Sequence, residues 1–161
     1  MNPKPANPRA SRPDWKTEPV ELTIDLGDKA GPRLFDLREL LAISESDLAS
    51  DMRGHAGVAA YFGTLHAAAS GLVRQREGDL EDTESDAYFD ARDALVEEAP
   101  KKAPTETAIK AMAAQSDKVR QARDRLSAAK LGRDQLANVM DRLADRRGMI
   151  RALAQAREDE F

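Results

Sequence analysis

The fold is decided by residues 105–157, which read TETAIKAMAAQSDKVRQARDRLSAAKLGRDQLANVMDRLADRRGMIRALAQAR. Apolar residues recur there at alternating spacings of three and four, and a period averaging about 3.5 keeps one stripe of a helix facing a partner helix. Thr105 is placed to cap the N-terminus, with Glu106 in the first turn. We therefore predict one unbroken helix over 105–157, roughly 80 Å long at 1.5 Å per residue, which packs against other helices in an assembly. The seam of this helix is predicted to be Met112, Gln115, Val119, Ala122, Leu126, Ala129, Arg133, Leu136, Met140, Leu143, Arg147 and Ile150.

Composition limits the class of protein. The chain has 161 residues, of which 4% are aromatic and 34% charged, so there is material for one domain with little deep core. The absence of cysteine excludes disulfides and thiolate metal sites and fits a reducing compartment. We expect no signal peptide and no transmembrane span, hence a soluble, cytoplasmic protein without a membrane partner.

The N-terminal part is predicted to form two short units. Residues 1–19 hold five of the eight prolines with basic residues between them, so we expect a disordered basic Pro-rich arm. Residues 20–43 are expected to hold a strand, where Val20, Leu22, Ile24 and Leu26 alternate with polar residues, and then a short amphipathic helix over Leu34–Ile43. Because nothing else alternates, the strand should have no partner within the chain; it must pair with another subunit, pair with another protein, or fail to form.

Residues 44–161 are predicted to form an antiparallel helical hairpin, which makes the chain all-α apart from the short strand. The first helical segment spans about 44–98, starting at Ser44, and its continuity should weaken near Gly78. The linker covers roughly 97–104, and the second segment covers about 105–157. The side chains expected to form the contact between subunits are Val119, Leu126, Leu136, Met140, Leu143 and Ile150.

Charge is distributed unevenly along this hairpin. Residues 77–98 carry ten acidic side chains against Arg92 alone, whereas residues 105–157 carry twelve Lys or Arg against six acids. The pattern indicates complementary helix faces that set the register. On the seam, Arg133 and Arg147 are each expected to meet an acid of the 77–98 block, or else to extend to water.

Few residues point to chemistry. Two basic clusters, Arg74–Gln75–Arg76 and Lys101–Lys102, could contact phosphate, since the acidic block would repel a polyanion. His55 and His66 lie on one helix face without a carboxylate at i+4, so we interpret them as half-buried or interface histidines. Phosphate loops, nucleophile elbows and metal-ligand motifs are missing from the sequence. We therefore expect no enzyme, no catalytic residue, no metal and no cofactor.

The order of motifs resembles a known family. An aromatic pair, Tyr61–Phe62, leads through alanine-rich sequence into the basic couplet, and Thr105–Lys110 (TETAIK) then opens a long helix that ends in Arg146–Ile150 (RRGMI). Over roughly residues 36–157 this resembles the recombination mediator proteins of tailed phages, the UvsY type. In that family a basic-x-basic couplet on the first long helix is implicated in binding single-stranded DNA, and Arg74 and Arg76 hold its place. Here Glu77–Gly78–Asp79 follows, where the family can carry aromatic residues, which favours phosphate contact over base stacking.

The resemblance implies a homo-oligomeric ring, heptameric by the same resemblance, that acts in DNA recombination, repair and replication. It would bind single-stranded DNA without sequence preference and help to load the phage recombinase onto strands coated by single-strand-binding protein, in the cytoplasm of the infected bacterial host. The alternative is a coiled-coil structural or scaffold protein, a virion or assembly factor that binds no DNA. The long seam and the net charge of −4 fit that alternative equally well.

Overall fold

In the computed structural model, the chain is described over residues 21–26, 31–44 and 46–159. Two long antiparallel helices form the body of the protein, a third short helix covers one end, and a small β-hairpin lies against the middle. The predicted arm over residues 1–19 lies outside the described residues. In chain order the elements are β1 (Glu21–Ile24), β2 (Arg33–Asp36), α1 (Leu37–Leu41), α2 (Leu48–Glu98), α3 (Glu106–Ala114) and α4 (Asp117–Asp159).

Helix α2 begins later than predicted and is longer without interruption. The side chain of Asp47 accepts a hydrogen bond from the backbone N–H of Ser50 at 3.0 Å, which makes Asp47, and not Ser44, the residue that caps the helix. The helix then runs without a break through Gly78. The prediction of weakened continuity at Gly78 is therefore wrong. Residues on both sides of it pack against other helices, and such contacts outweigh the roughly 1 kcal/mol that a glycine costs inside a helix.

The second arm of the hairpin is two helices and not the single helix predicted over 105–157. Thr105 caps α3 as expected, since its Oγ1 accepts from the N–H of Ala108 at 3.3 Å. The backbone N–H groups of Gln115 and Ser116 then donate to carbonyls three residues back, which tightens the chain and ends α3. The heptad spacing passes through this break because α3 and α4 both turn apolar residues towards α2. The apolar cluster at this end contains Ala87, Ala91, Ile109, Ala113 and Val119.

The apolar stripe of α4 packs against α2 of the same chain. Leu136, Leu143 and Ile150 are almost free of solvent; Leu136 and Leu143 share a core cluster with the α2 side chains Phe62 and Leu65, and Ile150 lies near Met52 and Ala56 at the start of α2. Of the six residues assigned to a contact between subunits, these three and Val119 are fully buried within the chain, while Leu126 and Met140 are half-buried. That assignment is corrected: the helix facing this stripe is α2, and the stripe leaves no fully exposed side chain for a second copy.

The buried stripe also departs from the predicted seam by one position in two places. Val139 is buried where Met140 was expected, and Arg146 is buried where Arg147 was expected. The buried positions 136, 139, 143, 146 and 150 still alternate at spacings of three and four. The heptad pattern is therefore satisfied by either of two adjacent residues, and packing against α2 selects the one that is buried.

The strand over residues 21–24 has a partner within the chain, so the prediction of a lone strand is wrong. β1 pairs with β2 in an antiparallel register that places Leu22 opposite Phe35, and Gly31 takes a positive φ of 74° in the connection. Leu22 and Ile24 are buried in the main core, and the Phe35 ring lies 5.0 Å from that of Phe62. The helix predicted over Leu34–Ile43 is accordingly reduced to the five residues of α1, capped by Asp36, because residues 33–36 are extended.

Helix α2 contains a long uncharged stretch. Residues 54–73 include no Asp, Glu, Lys or Arg, and within the described residues α2 is the one helix long and apolar enough to cross a membrane. Its best 18-residue window has a mean hydropathy of 1.2, and 22% of that window is buried in the fold. Core helices of soluble proteins can have the same length and hydropathy, so the expected absence of a transmembrane span stays a prediction.

Candidate nucleic-acid interface

The two arginines of the predicted couplet are in different surroundings. Arg74 is exposed and forms no ion pair with the residues that the structure describes. Arg76 is half-buried, and its Nη1 donates to Asp79 Oδ2 at 2.8 Å. Two residues along a helix differ by about 200° in direction, so the side chains leave α2 on different sides. Because α2 continues to Glu98, the couplet lies inside a helix, and Arg74 is its one arginine without an ion pair among the described residues.

The second basic cluster lies far from the first. Lys101 and Lys102 are exposed in the connection between α2 and α3. The helical residues between Arg76 and Glu98 alone span about 33 Å at 1.5 Å per residue. One chain therefore does not bring the two clusters together, and a phosphate at Arg74 could not also touch Lys101.

The acidic block over residues 77–98 faces α4 of the same chain in part. Glu84 Oε1 accepts from Arg123 Nη2 at 2.7 Å, and Glu77 Oε1 lies 3.1 Å from Lys130 Nζ. All four side chains are roughly half exposed, so each pair contributes at most about 1 kcal/mol. Their main effect is to fix which acids and bases lie opposite each other, which fits the predicted charge complementarity between the two arms.

Four aspartates of this block line an open cavity of about 490 Å³ between α2 and α4. Arg76, Lys118 and Arg125 also line it, and Arg76 is already paired with Asp79. The four acids outnumber the three cations, so the net charge of this flank of the hairpin disfavours a nucleic-acid strand. The four are Asp79, Asp82, Asp86 and Asp90.

The two seam arginines do not meet the acidic block. Arg133 is paired with its neighbour Asp134, with 2.7 Å between Nη2 and Oδ1. Arg147 is exposed and forms no ion pair with the described residues. The prediction that both would pair with residues 77–98 is wrong, and the alternative that Arg147 extends towards solvent is the one that the structure favours.

Arg146 is the polar residue that sequence reasoning missed. Its side chain is buried and donates to the carbonyl of Ala42 from Nε at 3.1 Å and from Nη2 at 2.8 Å. Nη2 also lies 2.8 Å from Asp51 Oδ1, whose other oxygen accepts from the N–H of Ser44 at 2.6 Å. Arg146 thus ties the end of α4 to the start of α2 and to the segment before it. The Arg146–Arg147 pair in the sequence shows that one arginine lies near the seam but does not show which.

His55 lies beside Arg146. Its Nδ1 is 3.4 Å from Arg146 Nη1, and the ring is buried. Burial, and then the charges of Arg146 and Arg147, hold the pKa of His55 below its usual value. His66 is half-buried elsewhere on the same helix. The interpretation of both as buried or half-buried side chains is confirmed, and no group of three or more metal-ligating side chains comes together within the described residues.

Comparison with known proteins adds no relative: no family model, no curated protein and no solved structure matches the chain. The resemblance to phage recombination mediators therefore rests on the sequence motifs alone.

Proposed function

We propose that this protein is a recombination mediator that binds single-stranded DNA without sequence preference and acts as a homo-oligomeric ring. In this proposal it helps to load a phage recombinase onto strands coated by single-strand-binding protein, in the cytoplasm of the infected host. It works by binding and reorganising a filament, with no bond made or broken. The observation that carries the proposal is Arg74, an exposed arginine without an ion pair among the described residues, at the position of the family's basic couplet.

Each subunit would contribute Arg74 as its main phosphate contact. A guanidinium group donates two hydrogen bonds to one phosphate, and contacts repeated around a ring add up because every neutralised phosphate releases a counterion. Arg76 would contribute less, because a phosphate must first displace Asp79. Lys101 and Lys102 would form a second, separate contact in the exposed connection after α2.

The assembly would use the outer face of α2, the side turned away from α4. Along this face small residues recur at spacings of three and four, and none of them is buried in the chain. A Cβ atom added at Gly57 or Gly71 would meet nothing within 4 Å, so no contact within the described residues requires a glycine there. Glycine inside a helix costs about 1 kcal/mol relative to alanine, and close approach of a second helix would offset that cost at these two positions. The stripe is Gly57, Ala60, Thr64, Ala67 and Gly71.

A second copy of α2 is the occupant that suits this face. Between Arg53 and Arg74 the helix carries no Asp, Glu, Lys or Arg, so two copies could approach closely without burying charge. A face made of small residues contributes little area from each residue, which matches a ring that depends on many subunits.

The DNA-binding part is tested with Arg74→Ala and with Arg120→Ala as its control, since Arg120 is an exposed arginine already paired with Asp117. Binding of a fluorescent oligothymidylate is followed by anisotropy over a range of salt concentrations. We expect the parental protein to bind at low salt, Arg74→Ala to bind more weakly with a flatter salt dependence, and Arg120→Ala to stay close to the parent. Equal binding by both variants would remove Arg74 from the interface.

The assembly part is tested with Gly57→Leu and with Gly148→Leu as its matched control. Both glycines are exposed inside a long helix, and an added Cβ at either meets nothing within 4 Å. Native mass spectrometry should show smaller assemblies for Gly57→Leu alone, with helicity retained in both variants. The same mass for both would show that the outer face of α2 is not the contact.

The second candidate function is a scaffold or assembly factor that binds no DNA. It is favoured by one observation, the acid-lined flank where Arg76 is already occupied by Asp79. An assembly whose parental form fails to bind the oligothymidylate even at low ionic strength would establish this alternative over the first.

A further inference from the structure

A groove lies between the start of α2 and the end of α4, on the opposite flank from the acidic cavity. It has a volume of about 390 Å³, which is within the usual range for a small-ligand site. Met52, Ala56 and Ile150 form the apolar part of its lining, and Arg147 and Arg151 belong to the polar part. We call it the end groove.

The charge at the end groove is positive and uncompensated. Arg147 and Arg151 are four residues apart and therefore emerge on the same side of α4. Neither forms an ion pair with the described residues, and no carboxylate from those residues lines the groove. The acid behind it, Asp51, has both oxygens engaged, by Arg146 and by the N–H of Ser44.

The surroundings of His55, which also lines the groove, agree with this charge. Arg146 and Arg147 both act to lower its pKa, in addition to the effect of burial. Two cations thus act on the His55 ring, although Asp51 offsets part of the charge of Arg146. An anion that enters the groove would therefore be attracted.

The end groove and Arg74 lie on one flank of the hairpin. Ala56 and Arg74 are 18 residues apart, which is five full turns of a helix, so both point to the same side of α2 at a separation of roughly 27 Å along its axis. Between them Gly63 keeps the surface low, and a Cβ there would come 4.0 Å from the Met140 side chain of α4. The acid-lined cavity and the β-hairpin contact with Tyr61 involve the other flank.

We propose that the end groove binds one nucleotide unit of a single strand that runs along this flank from Arg74. The inference rests on the proposed function and extends it, because it names a second contact point and the part of the ligand that enters. Arg147 and Arg151 hold the phosphate through paired N–H donors, and the base lies against Met52 and Ala56, which are exposed. Methionine adapts its shape to a flat ring and makes favourable sulfur–aromatic contacts.

The test removes the same charge from two places on one helix. The double variant Arg147→Ala/Arg151→Ala is compared with Arg125→Ala/Arg142→Ala, whose arginines are also exposed and lack an ion pair among the described residues. With oligothymidylate at low salt we expect the first variant to lose roughly tenfold or more in affinity and its salt slope to fall by about 1.4 for two lost contacts. The control should stay near the parent. Equal losses in the two variants would mean that net charge alone matters and would overturn the proposal.

Two further ligands separate the parts of the proposal. An abasic oligonucleotide of the same length should bind the parent more weakly than oligothymidylate, and equal affinity would overturn the placement of the base. Thymidine monophosphate distinguishes the groove from the strand. Arginine-dependent binding of the monophosphate without binding of any oligonucleotide would keep the groove as a phosphate site and sink the proposed function. Binding of the oligonucleotide that depends on Arg74 but not on Arg147 and Arg151 would support the proposed function and overturn the assignment of the end groove.

Discussion

Replacing Arg146 by alanine should destabilise the protein far more than replacing Arg147, although the two arginines are neighbours. Arg146 is buried and donates to the Ala42 carbonyl and to Asp51, whereas Arg147 is exposed. Removing Arg146 leaves Asp51 with its charge and without its cation, in a place where its side chain is 20% exposed. Breaking a buried pair costs 3–5 kcal/mol in general, and the partial exposure of Asp51 points to about 3 kcal/mol here.

The experiment is thermal unfolding and urea unfolding of both variants and the parent, each followed by circular dichroism at 222 nm. For a chain of this size about 3 kcal/mol corresponds to a fall of roughly 6–12 °C in the thermal midpoint. Arg147→Ala should stay within about 0.5 kcal/mol of the parent, as exposed substitutions do. An unchanged dependence of the unfolding free energy on urea would show that the loss lies in the native state.

A double variant ties the effect to the pair. If Arg146 acts through Asp51, then Arg146→Ala together with Asp51→Ala should cost less than the sum of the two single changes, by about 1–3 kcal/mol. Equal midpoints for Arg146→Ala and Arg147→Ala would refute the reasoning, because they would mean that α4 is rotated to its heptad position and that Arg146 is not the buried residue.

Two further outcomes are expected from the same fold. Leu136→Ala should lower the unfolding free energy by about 2–5 kcal/mol, whereas Leu131→Ala, the same change at a side chain that is 61% exposed, should have little effect; similar chemical denaturation midpoints for the two would contradict the core described for α4. The pKa of His55 is lower in the folded chain than in the unfolded chain, so the unfolded chain binds the His55 proton more readily. The contribution of His55 to stability is therefore present above about pH 6.5. It is lost as the pH falls through the lower pKa of the folded state. Between pH 7.5 and 5, stability should therefore fall less in His55→Gln than in the parent, with His66→Gln as the control on the same helix; a parallel fall in all three would contradict the burial of His55 beside Arg146.

Much of the hairpin could be predicted from local signals. The cap at Thr105 and the burial of Leu136, Leu143 and Ile150 follow from residues within one or two turns of each other. The strand at Glu21–Ile24 was visible as an alternation, but its partner Arg33–Asp36 is only four residues long. Such a segment shows no period of its own and becomes a strand because β1 and Phe62 lie beside it.

Some residues of the candidate site could likewise be predicted from the sequence, and others could not. Arg74 could be found as part of a basic couplet. The sequence did not show that Arg76 differs from Arg74, because the ion pair between Arg76 and Asp79 depends on the side-chain conformations along α2. The end groove carries no motif, because Met52 and Arg151 are about 100 residues apart in the chain and meet only when α4 folds back on α2.

The sequence by itself determined that the chain is helical, that its two arms have complementary charges and that one stripe of the second arm is apolar, since each of these depends on which residues lie on the same side of a helix. Only the tertiary structure decided three other features. The stripe faces α2 of the same chain, the second arm breaks at Gln115–Ser116, and Arg146 is buried in preference to Arg147. The physical reason is that periodicity defines the apolar face of a helix only to within about one residue. Contacts between residues far apart in the sequence decide which element covers this face and how the helix is finally rotated against it.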